Sequence, residues 1–218
     1  MRTIAFVTQK GGSGKSTLAT SLAVAAMQAG ERVYMLDMDP QRSLMSWAEM
    51  RGEEEPGVQA VTAGRLASTL ASIEESGFTL TIIDTPGVEG PAAIAAMRLA
   101  DLNIIPARPN AFDLWASETT RKLLRQHRAD YVFVLNQCPP AQQTTRVQQG
   151  AEALEALGGL ITPLILTRVD FQEAARAGLG VTEWHPSGAA ADEMRAMWSS
   201  IKRRLARRGQ KAPMRKAA

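Results

Sequence analysis

Short apolar runs alternate with longer stretches of helical periodicity along nearly the whole chain. The runs fall at residues 3–8, 33–37, 58–62, 80–84, 102–106, 131–136 and 160–166. Most are rich in Val, Ile and Leu without polar alternation, the pattern of parallel strands covered on both faces. Between them, residues 16–28, 65–75, 91–100, 114–128 and 144–157 read as helices, and a last helix is expected over about 188–208. Strand–helix alternation of this kind predicts one doubly wound α/β domain, a mainly parallel sheet of about seven strands flanked by helices. No internal repeat or interdomain linker interrupts it, so residues 1–208 are expected to form a single domain and 209–218 a disordered basic tail. Residues 51–57 (Arg-Gly-Glu-Glu-Glu-Pro-Gly) read as a solvated loop.

Composition adds limits to this picture. The 218 residues include 45% hydrophobic and 22% charged side chains, which is ordinary for a globular chain and excludes a collagenous or mainly disordered one. The single cysteine, Cys138, cannot pair within the chain, so a reducing cytoplasm is the expected compartment. No run of about 18 apolar residues marks a membrane span, and residues 1–7 pass directly into strand-like sequence rather than a secretory signal. The net charge of +3 conceals an asymmetry. Residues 201–218 hold eight of the 25 basic side chains and no acid, leaving 17 bases against 22 acids in residues 1–200. An acidic body with a basic end predicts contact with a polyanion. Arg203, Arg204, Arg207, Arg208 and Lys211 are the candidate DNA contacts.

The most specific chemistry lies between the first strand and the first helix, in Gln9-Lys10-Gly11-Gly12-Ser13-Gly14-Lys15-Ser16-Thr17. Its glycines let successive backbone N–H groups turn toward phosphate oxygens, and the following helix adds its positive end. In such a loop Lys15 reaches the β- and γ-phosphates, and the Ser16 hydroxyl ligates Mg²⁺. The loop carries a second lysine, Lys10, where one nucleotide needs only Lys15.

The arrangement Lys-Gly-Gly-x-Gly-Lys-Ser-Thr resembles the deviant Walker A signature of the ParA/MinD family of P-loop NTPases. The resemblance implies ATP with Mg²⁺, and a Lys10 that crosses a nucleotide sandwich dimer to the partner's phosphates. Asp37-Met38-Asp39-Pro40-Gln41 resembles the family's first switch; by that match Asp37 orders the metal's water shell and Asp39 positions or activates the attacking water. Thr81-Ile82-Ile83-Asp84-Thr85-Pro86 resembles Walker B, with Asp84 holding Mg²⁺ through water. Pro86-Gly87 stands where ParA proteins generally have Pro-Pro. Asn136 sits where family members contact adenine, although a capping or turn asparagine reads the same way. Pro109 and Asp113 resemble the Pro-Ser-x-x-Asp element, with Asn110 in place of serine. Residues 167–174 resemble a late Arg-x-x-x-x-Glu-Ala segment, one residue short and lacking its second arginine. Trp47, Trp115, Trp184 and Trp198 read as core or rim packing, Cys138 as a small packing residue.

Absences narrow the family. One cysteine cannot hold an iron–sulfur cluster, two tyrosines make no kinase tail, and no guanine-reading Asn/Thr-Lys-x-Asp follows the sixth strand. The resemblance is greatest to small ParA proteins of the ParF type, without an N-terminal helix-turn-helix. It implies an ATPase that dimerises on ATP, binds DNA without sequence preference and hydrolyses ATP when a cargo-bound ParB-like protein stimulates it. It would be cytoplasmic and nucleoid-associated, and would segregate a plasmid or chromosome, or position a protein cargo. Two alternatives stand beside it: a MinD-like membrane-surface ATPase whose basic end meets anionic lipid, and a P-loop ligase acting on a small carboxylate. The end of the chain lacks the sustained apolar stripe of a membrane helix, and no second substrate motif marks a ligase.

Overall fold

The computed structural model describes residues 1–140 and 145–211, with side chains as far as Arg207. The remainder of the expected tail, 212–218, lies outside the described residues. Six strands form one parallel sheet: β1 Arg2–Phe6, β2 Val33–Asp37, β3 Gly57–Ala60, β4 Leu80–Asp84, β5 Leu102–Ala107 and β6 Tyr131–Leu135. Their order is β3-β2-β4-β1-β5-β6, and every pairing is parallel. The sheet therefore has six strands where the sequence predicts about seven. Residues 160–166 do run beside β6, with Ile161 N donating to Phe133 O at 2.8 Å and Ile165 N to Leu135 O at 3.0 Å. Between those bonds stands Pro163, which has no N–H to give, and only isolated bridges form.

Nine helices surround the sheet among the described residues: α1 Lys15–Gln28, α2 Ser43–Arg51, α3 Leu66–Glu75, α4 Pro91–Leu99, α5 Ala111–Gln126, α6 Thr145–Gly158, α7 Val169–Arg176, α8 Val181–Trp184 and α9 Ala189–Lys211. Alternate side chains of each central strand serve opposite layers. Ile4 and Phe6 join a core with Leu22, Phe171, Met194 and Trp198 from α1, α7 and α9. Ala5 and Val7 join a second with Leu66, Met97, Leu124 and Leu154 from α3 to α6. Both faces being covered explains the unbroken apolar runs.

Three expectations change. Residues 43–51 are helical, and Arg51 is not a solvated loop residue: its side chain is 6% exposed and forks onto Glu183 at 2.8 Å. Trp115 is 66% exposed rather than packed. Helix α9 continues to Lys211, past the expected end at 208, and Ile201 and Leu205 lie in the core. The first half of the basic segment is therefore an ordered helix with one apolar face.

Candidate functional site

The loops that leave the C-terminal ends of β1, β2, β4, β5 and β6 meet at one edge of the sheet, where open parallel sheets place their ligands. A cavity of about 1210 Å³ opens there. It is lined by Gly11, Gly12, Gly14, Lys15, Ser16 and Thr17 of the first loop and by Asp39, Pro86 and Gly87 of two others. It extends past the loop to an apolar wall of Trp47, Met50, Val88 and Ala92.

The first loop is braced from behind. Asn136 donates its side-chain amide to Ser13 O at 2.8 Å, Gln137 donates to Gly12 O at 3.2 Å, and Ser13 Oγ to Lys10 O at 3.4 Å. Gly12 and Gly14 adopt φ of 74° and 92°, a region that a side chain would strain. With its carbonyls held on the far side, the loop keeps its amides for the cavity. Among the described residues, no group accepts from the N–H of Gly11, Gly12, Ser13, Gly14, Lys15 or Ser16. A row of free amides at the start of α1 is a receptor for phosphate oxygens.

Lys15 is 7% exposed and lines the cavity; burial lowers its pKa, while Asp84 and Asp39 oppose that shift. Lys10 is half-buried and does not line the cavity. The two lysines of the loop therefore occupy different environments.

Asp84 ends β4 and is wholly buried. One carboxylate oxygen accepts from Ser16 Oγ at 2.5 Å; the other, Oδ1, is buried without a partner. Burial pushes its pKa up to about 7, against the Ser16 hydrogen bond and the charge of Lys15. An unsatisfied buried carboxylate oxygen beside a serine hydroxyl is the oxygen donor set a hard divalent cation takes, so these residues fit Mg²⁺. Ser16 would ligate the ion and Asp84 would face its water shell.

Asp37 and Asp39 differ in what engages them. Both oxygens of Asp37 accept backbone amides, from Asp39 N at 3.0 Å and from Leu44 N and Met45 N at 2.9 and 3.2 Å. Asp37 thereby ties the first switch to the start of α2. Burial raises its pKa; the backbone hydrogen bonds oppose this. Among the described residues the Asp39 carboxylate accepts only from Gln41 N, at 3.0 Å, and Asp39 lines the cavity. It is the carboxylate there best placed to meet a water.

Other side chains that the sequence singles out are engaged as follows. Asn136, which the sequence leaves between an adenine contact and a capping or turn role, turns its side-chain amide to Ser13 O and braces the loop. Arg204 is held by Tyr131 O at 2.9 Å and Asp130 at 3.4 Å. Arg203 reaches Ser200 Oγ at 3.2 Å. Arg168 pairs with Glu193 at 2.8 Å. Arg207 is exposed, and the side chains of Arg208 and Lys211 lie outside the described residues. Thr17 lines the cavity as expected, and Asn110 caps α5 by accepting from Asp113 N at 3.0 Å, the work expected of the serine it replaces. Gln137 contacts the phosphate loop from 125 residues away, and no local pattern marks such a contact; Arg108, whose Nη1 lies near Gly12, is equally unmarked.

The chain matches the family model described as the CobQ/CobB/MinD/ParA nucleotide binding domain over residues 4–181. It is 33% identical over 200 residues to the maintenance of carboxysome distribution protein A of Gloeobacter kilaueensis, covering 86% of this chain and 87% of that one. The protein of the same name from Halothiobacillus neapolitanus is 27% identical over 209 residues, 91% and 95% of the two chains. Protein ParA of Rhizobium radiobacter is 34% identical over 129 residues, 58% and 57% of the two chains. Among solved structures, apo McdA of Cyanothece superposes with a TM-score of 0.77 at 16% identity, covering 94% of this chain and 99% of that one. The MinD cell division protein of Aquifex aeolicus gives 0.75 at 17% identity, covering 93% and 97%. With the phosphate loop and both carboxylate segments in place, the chain belongs to the CobQ/CobB/MinD/ParA nucleotide-binding family, on its ParA/MinD side.

Proposed function

We propose that this chain is a ParA-like positioning ATPase. It binds ATP with Mg²⁺, pairs with a second copy across the nucleotides through Lys10, and binds DNA without sequence preference. It hydrolyses ATP when a cargo-bound partner stimulates it. The observation that carries this reading is the division of labour between the two loop lysines. Lys15 is buried in the cavity, and Lys10 lies outside it on the same loop, free of any ion pair among the described residues. A second lysine excluded from its own site is placed to serve another copy's.

Lys15→Ala removes the main charge of the phosphate cradle and abolishes ATP binding. Lys10→Ala keeps most of the binding but loses the ATP-dependent dimer. Asp39→Ala binds ATP and hydrolyses it about 10²–10⁴-fold more slowly. Light scattering with ATP is the measurement; a normal dimer from Lys10→Ala refutes the cross-dimer role.

The cargo we favour is a protein assembly rather than the plasmid or chromosome that the sequence suggested. The two carboxysome distribution proteins match over 86–95% of both chains, whereas Protein virC1 of Rhizobium radiobacter matches over 75% and 76% and its Protein ParA over 58% and 57%. Under this reading the partner is cargo-bound rather than a centromere-binding ParB-like protein. DNA contact falls to the outer face of α9, where Lys202, Arg203 and Arg207 are exposed. Removing residues 201–218 is the wrong test, because it cuts Ile201 and Leu205 out of the core. Arg203→Glu with Arg207→Glu keeps the fold and flattens the salt dependence of DNA affinity. Equal slopes place DNA elsewhere. Among the described residues no helix is long and apolar enough to cross a membrane.

A further inference from the structure

Arg108 leaves the end of β5 and is held by Asp113, in the first turn of α5. Its Nε and Nη2 fork onto the two carboxylate oxygens at 2.8 and 3.0 Å, and its backbone N–H adds a third bond at 3.2 Å. Asp113 is almost wholly buried, while the Arg108 side chain is about one-third exposed. The paired arginine holds the Asp113 carboxyl below its ordinary value against the opposing effect of burial. A planar guanidinium bound at two nitrogens has no rotational freedom left, so the position of the third is fixed. That third nitrogen, Nη1, has no partner among the described residues, and it lies beside Gly12 of the phosphate loop. A Cβ built on Gly12 would lie 3.9 Å from it, with no other heavy atom within 4 Å.

The arrangement brings a third cation to a loop that already carries Lys10 and Lys15. Lys15 has Asp84 and Asp39 beside it and Arg108 has Asp113, and a phosphate group would add an anion that the cations attract. Asp113 neutralises Arg108 from behind but leaves its free nitrogen beside the loop.

We infer that Arg108 is a further nucleotide-binding residue, whose Nη1 donates to a phosphate oxygen of ATP seated at a phosphate loop, with Asp113 as its positioning residue. The inference rests on the nucleotide-binding reading above and extends it. The phosphate has two sources: the chain's own nucleotide, or that of a second copy facing it. Arg108 does not line the 1210 Å³ cavity, so the experiment has an arm for each.

The test uses the full chain, a fluorescent ATP analogue and Mg²⁺. Arg108→Ala alone would strand the buried Asp113 charge, so the principal variant is Arg108→Gln with Asp113→Asn, a neutral hydrogen-bonding pair that retains the fold by thermal melt. In the first arm, binding is titrated at a protein concentration where the chain is monomeric. A loss of affinity of roughly 10- to 100-fold, the worth of a hydrogen bond to a charged group, assigns Arg108 to its own nucleotide. In the second arm, ATP-dependent dimerisation is followed by sedimentation. Monomer affinity unchanged with the dimer lost assigns Arg108 to the facing copy's nucleotide. Arg108→Lys keeps the charge without the fork and recovers only part of either effect. Asp113→Asn alone weakens binding or dimerisation in the wild-type background and adds nothing once Arg108 is glutamine, a dependence that a merely structural aspartate would not show. Wild-type affinity and wild-type dimerisation in the double variant overturn the inference. Failure of the wild-type chain itself to bind the analogue overturns the nucleotide reading along with it.

Discussion

Replacing Asp84 with asparagine isolates the energetic cost of keeping a metal-seeking carboxylate in a dry place. The side chain is wholly buried at the end of β4, and its pKa is pushed from 3.8 up to about 7, chiefly by burial. Because the folded-state value lies above the unfolded one, the native state retains a proton that the unfolded chain has lost between pH 4 and pH 7. Stability therefore falls as pH rises through that window, and the full penalty is present above it. Three pKa units at 1.36 kcal/mol each make that penalty about 4 kcal/mol, of which about 2–3 kcal/mol develops between pH 5 and pH 8. Asparagine preserves the shape and the contact with Ser16 and carries no such charge. In Mg²⁺-free, nucleotide-free buffer at pH 8, Asp84→Asn is expected to be more stable than wild type by about 2–4 kcal/mol, with the gap narrowing toward pH 5. Adding ADP and Mg²⁺ should then stabilise wild type and leave the variant nearly unmoved, reversing their order. Urea unfolding followed by circular dichroism at intervals from pH 5 to 8 measures both effects. Parallel wild-type and variant curves across that range refute the reasoning, since they would mean that the carboxylate is solvated and the orphaned oxygen is not orphaned.

Two further substitutions probe how the loops are fitted together. A Cβ on Gly87 would lie 3.3 Å from the backbone N and Cα of Gly11 and from Lys15 Nζ; Gly87→Ala should cost about 1 kcal/mol and weaken ATP binding, and wild-type affinity by calorimetry would show that the 86–90 loop moves off the phosphate loop freely. Arg51→Ala leaves the Glu183 carboxylate without its fork and should cost about 2–4 kcal/mol in a thermal melt, with Arg51→Lys recovering less than half; a loss under about 1 kcal/mol would mean that α2 holds without the clamp.

The strands and the phosphate loop were legible because their signals are local. β2 and β4 begin and end where the apolar runs do, since a parallel strand buried on both faces has no polar residue to blur its limits. Helix α2 was missed because it buries only Leu44 and Trp47, too few to set a period, and because its start is fixed by Asp37 from the preceding strand. The 160–166 segment was read as a full strand, and Pro163 breaks the ladder that its neighbours maintain. Trp115 shows a different failure. Residue type predicts burial on average, but the structure places that ring on the outer side of α5, edge-on to exposed Phe112 with centroids 5.6 Å apart. At the site, the loop could be read as a motif, whereas the side chains that hold it, Asn136, Gln137 and Thr120, come from two later segments. Thr120 accepts the backbone N–H of Gln9 at 3.2 Å from the middle of α5. Such contacts follow from topology and have no sequence period.

The elements that hold nucleotide and the helix that carries the basic ridge are packed on one another, and three close backbone approaches make that packing tight. Helix α1 starts at Lys15 and Ser16, is buried along much of its length, and lies against α9. The turn between α7 and α8 is wedged between α1 and α2. A Cβ on Gly180 would meet Val24 of α1 at 2.6 Å, and one on Gly178 would collide with the backbone of Arg51 at the end of α2. The third approach is that of Gly87 to the phosphate loop. Helix α2 is itself anchored to the first switch through Asp37 and to α8 through Arg51 and Glu183. These contacts join the Asp39 loop to the α7–α8 turn through closely packed elements. Helix α8 packs directly against α9. The fold thus supplies a continuous contact route from the carboxylates at the cavity to the helix whose outer face is basic.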